Sequence, residues 1–163
     1  MKVFAAIVAV LVLTVPLAAD DLAQLKFLIG RWQAIDTAAG ESGSFAFELA
    51  VQDHVMLRRN EAIYAAADRR PASRHDDLMA IYSEDGALKA DYFDNEGHVI
   101  RYSVQPRARN RVVFVSDAKT SEPRYRLSYS VDADGVLTGT FEVAAPGSGD
   151  AFKPYLSWRA RRQ

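Results

Sequence analysis

The chain has 163 residues, a formal net charge of −1 and no cysteine. The near-neutral balance gives no general reason to expect a nucleic-acid partner, and the missing thiols exclude disulfides and thiolate metal sites. With 49% hydrophobic and 25% charged residues, the composition is that of a globular protein able to bury a core.

Residues 1–19 read as a targeting segment. Lys2 gives a short positive start, an apolar run follows to Val15, and Pro16-Leu17-Ala18-Ala19 precedes Asp20-Asp21. This predicts a secretory signal peptide removed near Ala19, leaving residues 20–163 as one domain in the periplasm or outside the cell. The run falls short of the roughly 20 apolar residues a helical span needs, so no membrane span is expected after cleavage.

Residues 21–27 predict a short helix, capped by Asp20 or Asp21 and ended by Gly30. Trp32 opens a strand to about residue 37, and residues 39–43 form a turn. Over 44–51, alternation places Phe45, Phe47, Leu49 and Val51 on one face. A long strand is expected over 54–65. There either Arg58 and Asn60, or Arg59 and Glu61, must point inward. Val55, Leu57 and Ile63 share the second set's face, so Arg59 and Glu61 are the expected inward pair. A buried charge needs a partner, and Arg59 would pair with Glu61 or anchor an anionic ligand.

Residues 66–76 read as the longest loop, followed by a strand over 78–83 and a turn at 84–86. The stretch 88–104 is a hairpin about Asp94-Asn95-Glu96-Gly97, whose Asp, Asn and Gly suit a tight turn. That closure sets Asp94 opposite His98, Tyr92 opposite Ile100 and Ala90 opposite Tyr102. A turn at 106–110 leads to strands over 112–116, 125–131, 136–144 and 152–160. Pro154 is tolerable only near the start of the last one or on an unpaired side. Arg124 and Arg126 share a face with Ser128 and Ser130, which reads as an outer face. About ten short antiparallel strands after one helix define an all-β chain at the spacing of a sandwich or barrel. The expected fold is a single up-and-down β-barrel with the helix capping one end.

The opening Leu25-Lys26-Phe27-Leu28-Ile29-Gly30-Arg31-Trp32 resembles the start of a lipocalin-type barrel. So do Phe93 to Ile100 (Phe-Asp-Asn-Glu-Gly-His-Val-Ile) and Ala151 to Tyr155 (Ala-Phe-Lys-Pro-Tyr), which are similar to segments of secreted bacterial lipocalin-like, calycin-type domains of unassigned function. The resemblance covers nearly all of residues 20–163. It implies that Trp32 plugs one barrel end and that a last-strand arginine, Arg159 or Arg161, packs over it. Two other barrel groups fit less well. Fatty-acid-binding proteins carry an Arg-x-Tyr anchor on the last strand, which Tyr155-Leu156-Ser157-Trp158-Arg159 lacks. Nitrobindin-like haem barrels use a C-terminal histidine, whereas the last one here is His98.

A barrel this size should enclose a pocket lined by Phe45, Phe47, Ile100, Tyr102, Val104, Phe141 and Val143. Tyr92, His98, Tyr102 and Arg59 are the expected ligand contacts. His98 beside Asp94 is half of a general-base arrangement, with Tyr92 and Tyr102 as oxyanion donors. His98 and Asp94 are the candidate catalytic residues. His54, His75 and His98 lack metal-ligand spacing, and there is no Gly-rich phosphate loop or Gly-x-Ser-x-Gly elbow; neither metal nor other cofactor is expected. The reading is a module binding a small hydrophobic or amphipathic molecule. The alternatives are an acid–base enzyme with His98 as base, and a filled structural barrel.

Overall fold

The architecture follows from period-two alternation interrupted by tight turns. The computed structural model describes residues 21–67, 71–119 and 121–163; the expected signal peptide and Asp20 lie outside them. A helix over Asp21–Leu28 is followed by strands β1 (Gly30–Ile35), β2 (Glu41–Ala50), β3 (Val55–Tyr64), β4 (Ser73–Glu84) and β5 (Ala87–Asp94). Then come β6 (Val99–Ala108), β7 (Arg111–Ser116), β8 (Arg124–Val131), β9 (Val136–Ala144) and β10 (Lys153–Arg162). Among the described residues these ten antiparallel strands close into one barrel, each beside its sequence neighbour and β1 against β10. The closed ten-strand barrel is consistent with a calycin-like fold.

The helix is 3-10 rather than α. Its apolar spacing explains why: Leu22, Leu25 and Leu28 recur every third residue and are all buried, and a 3-10 helix stacks i and i+3 on one side. Gly30 then turns the chain into β1 at a φ of +130°, where an L side chain would be strained. Trp32 is buried and donates its indole N–H to Leu28 O at 2.8 Å, sealing this end. The arginine over its ring is Arg162, with Cζ 4.7 Å from the ring centre, and not Arg159 or Arg161. Strand β10 runs to Arg162, and Trp32 pairs with Arg162 in register. Arg159 instead pairs with Asp36 at 2.6 Å on the outside.

Above Trp32 the barrel is filled. Phe45 stacks on Trp32, Phe47 and Phe114 meet Tyr129 edge-on, and Met56, Met79 and Ile81 complete the layer. Each such side chain contributes about 1.5–3 kcal/mol by leaving water. Phe45, Phe47, Tyr102 and Val104 therefore belong to this packed core rather than lining a pocket.

Strand β3 presents the opposite face from the one expected. Met56 and Arg58 are buried while Arg59 and Ile63 are exposed. Arg59 lies on the outer wall beside Glu48, its side chain 64% exposed, and Glu61 pairs outside with Arg74 at 2.7 Å. The outer wall of a barrel tolerates scattered apolar side chains, so Val55, Leu57 and Ile63 misreport the inner face. Strand β4 also starts earlier than expected, at Ser73, which brings His75 and Asp77 into the sheet opposite Ala62 and Asn60. Pro154 sits at a register shift near the start of β10, where its missing N–H is tolerated. Arg124 and Arg126 are on the outer face, with Arg126 held bidentately by Glu142 at 2.5 and 2.7 Å.

Candidate functional site

The open end of the barrel has two unlike inner walls. Strands β3, β4 and β5 supply Arg58, Asn60, His75, Asp77, Tyr92 and Asp94. Beside β5, β6 supplies Ile100, and across the mouth β8, β9 and β10 supply Tyr125, Phe141 and Trp158; all four are partly buried hydrophobics packed against the core. Tyr125 and Phe141 stack with centroids 5.7 Å apart and planes 12° off parallel.

The hairpin that positions Tyr92 and Asp94 has the register read from its turn: Tyr92 faces Ile100 and Ala90 faces Tyr102. Asp94 N–H donates to His98 O at 3.3 Å, and Gly97, at a φ of +90°, closes the turn. The Asp94 carboxylate accepts from the backbone N–H groups of Glu96 and His98 at 3.0 and 2.9 Å, and from the Tyr92 hydroxyl at 3.3 Å. His98 Nδ1 lies 2.8 Å from Asp94 Oδ2. Burial works against the Asp94 charge, but the hydrogen bonds from His98 and Glu96 outweigh it and hold its pKa below the ordinary value. The hydrogen bond to Asp94, then its charge, raises the pKa of His98.

The centre of the polar wall is an ion pair between Arg58 and Asp77, their side chains only 6% and 4% exposed. Asn60 donates to the second Asp77 oxygen at 2.9 Å. The Arg58 guanidinium lies 5.7 Å from the Phe45 ring centre and 5.9 Å from that of Tyr129. Burial opposes the Arg58 charge, yet Tyr129 and Asp77 hold its pKa above the usual arginine value. Burial pushes the Tyr129 phenol up to about 12, with Arg58 pulling the other way. It also raises Tyr92 and Tyr102, so all three phenols remain protonated donors at neutral pH. His75 joins the two halves of the wall, its Nε2 lying 3.2 Å from the Tyr92 hydroxyl and 3.4 Å from Asp77 Oδ2. Its Nδ1 lies 3.3 Å from Glu96 Oε1.

Of the residues singled out from sequence, Tyr92 is on the inner wall and Tyr102 is deep in the core, edge-on to Phe114. His98 is at the rim with its side chain 61% exposed, and Arg59 is outside. Arg58 and Asn60, the other of the two possible inward pairs on β3, take the inner position instead of Arg59 and Glu61, and His75 and Asp77 join them from a part of β4 that reads as loop in the sequence. The signal was there in the polar residues that keep strand spacing through 58–60 and 75–77, once the inner face is fixed by Met56 and Met79. Among the described residues no group of three metal-ligating side chains comes together.

A cleft of about 320 Å³ lies between β6 and the β7–β8 connection, beside Ile100 and Tyr125; it shares no residue with the polar wall. A larger depression of about 500 Å³ lies at the opposite end, between the helix and residues 106–110, and shares no residue with the polar wall. No family model matches the chain, and no curated protein matches it. The fold and site define a class: an antiparallel ten-strand barrel, plugged by Trp32 at one end, with a mouth polar on one side and aromatic on the other.

Proposed function

We propose that this chain is a lipocalin-like binding module, secreted or periplasmic, that takes a small amphipathic molecule into the open half of its barrel. The observation carrying this reading is the divided mouth. Half-buried rings at Tyr125, Phe141 and Trp158 offer an apolar surface, and the wall of Arg58, Asn60, His75, Asp77 and Tyr92 faces them with fixed polar groups. Small-molecule sites combine an apolar lining with a few convergent polar groups in this way. The filled lower half limits the ligand to the mouth half. The apolar run before Asp20 supports export. Base catalysis by His98 is the weaker reading, because that imidazole is at the exposed rim with Nδ1 committed to Asp94.

The test is titration with Nile red, a neutral dye whose emission shifts to the blue in apolar surroundings. Saturable binding is expected, lost in Phe141→Ala and kept in Val51→Ser, an exposed position at the closed end. No saturable binding, or equal binding by the two variants, counts against the reading.

A further inference from the structure

The hydrogen-bonding capacity left over inside the barrel is of one kind. Arg58 Nε and the Tyr129 hydroxyl are both buried without a hydrogen-bond partner; the third such atom among the described residues, Arg124 Nε, belongs to the outer wall. A guanidinium N–H only donates, and a phenol readily does so. The carboxylates nearby are occupied. Asp77 accepts from Arg58 and Asn60, and Asp94 accepts from Tyr92 and from two backbone N–H groups with His98 Nδ1 alongside. The interior therefore lacks an acceptor, not a donor.

Charge decides which acceptor fits. The polar wall sets one guanidinium, Arg58, against two carboxylates, Asp77 and Asp94, each with a side chain only 4% exposed. A further negative charge beside Asp77 would be repelled across a medium of low dielectric constant. A carboxylate or phosphate head is therefore disfavoured, even with an arginine in the site. A carbonyl oxygen offers lone pairs without a net charge. Tyr129 packs edge-on to Trp158 at 5.9 Å, one ring deeper than the mouth wall. A molecule lying on Tyr125, Phe141 and Trp158 would reach the Tyr129 ring along Trp158.

We propose that the barrel selects a neutral carbonyl compound on an apolar, ring-sized body, its oxygen accepting from Arg58 Nε and the Tyr129 hydroxyl. This rests on the ligand-binding reading above and narrows it to a ligand class. The deciding comparison is acetophenone against benzoate, which share a ring and differ in head-group charge. Each is titrated into the protein at about pH 8, above the ordinary histidine range, with the Trp158 indole N–H followed by NMR. Acetophenone is expected to bind about tenfold more tightly or better. Tyr129→Phe removes only the hydroxyl and should weaken acetophenone about fivefold, the worth of one hydrogen bond, in a protein that stays folded. Asp77→Asn removes the opposing charge and should swing the preference toward benzoate.

Benzoate binding as tightly as acetophenone in the unaltered protein overturns the proposal and leaves the broader reading standing. So does an unchanged acetophenone affinity in Tyr129→Phe. Binding of neither probe also overturns it; Nile red binding in the same sample would then preserve the broader reading, and its absence would sink both.

Discussion

His98 Nδ1 sits 2.8 Å from Asp94 Oδ2 across the β5–β6 turn, and the two side chains differ sharply in exposure, 61% against 4%. A rim imidazole is thus tied to a buried carboxylate. The pKa of His98 is raised by this contact, so its contribution to stability is fully present below the unfolded value of about 6.5 and fades as pH rises through the folded value. Asp94 is lowered, so its contribution is present above its unfolded value and is lost as pH falls through the folded one. Both contributions are full between the two unfolded values, about 4 and about 6.5. Asp94→Asn keeps a turn-forming residue and should lower the His98 pKa, read from the ring protons by NMR titration. An unchanged pKa would mean that the contact does not form in solution.

The Arg58–Asp77 pair should behave as a buried ion pair. Asp77→Ala strands a guanidinium in the barrel and should cost about 3–5 kcal/mol, measured by urea unfolding. Arg59→Ala on the outer wall should cost under about 0.5 kcal/mol. Similar losses at Asp77 and Arg59 would contradict the orientation of β3.

That orientation marks where the sequence was legible and where it was not. The β5–β6 register was readable because Asp94-Asn95-Glu96-Gly97 admits few closures, and one closure sets every pair along the hairpin. The number of strands was readable from turns at 84–86, 94–97 and 132–135. The facing of β3 was not, because Val55, Leu57 and Ile63 outweigh Met56 as an apolar signal although they face out. The early part of β4 was missed for a related reason. His75 and Asp77 are polar on the inner side, so alternation of apolar residues cannot announce the strand. The arginine over Trp32 was misplaced because parity along β10 depends on a register shift at Pro154 that only the folded chain reveals.

The plug at the closed end should dominate stability. Trp32→Ala removes a buried ring and its bond to Leu28 O, and should cost about 3–5 kcal/mol. Arg162→Ala loses the cation–π contact and the bond to Phe27 O at 2.8 Å, and should cost about 1 kcal/mol. Denaturant midpoints at constant m-value check both.

Gly139 lets the Trp158 ring lie against β9. A Cβ there would stand 2.2 Å from Trp158 Cε2, closer than real contacts allow. Gly139→Ala should displace the indole, cost about 1–3 kcal/mol and shift the tryptophan emission to the red. An unchanged emission spectrum would show that Trp158 does not pack on Gly139.

A small molecule held in the open half of the barrel should survive purification. Native mass spectrometry of the protein purified from its own host would detect it. A mass excess of one small organic molecule is expected, one that vanishes on denaturation and is absent from Phe141→Ala. A mass equal to the polypeptide alone, under conditions that keep the barrel folded, would contradict the ligand-binding reading.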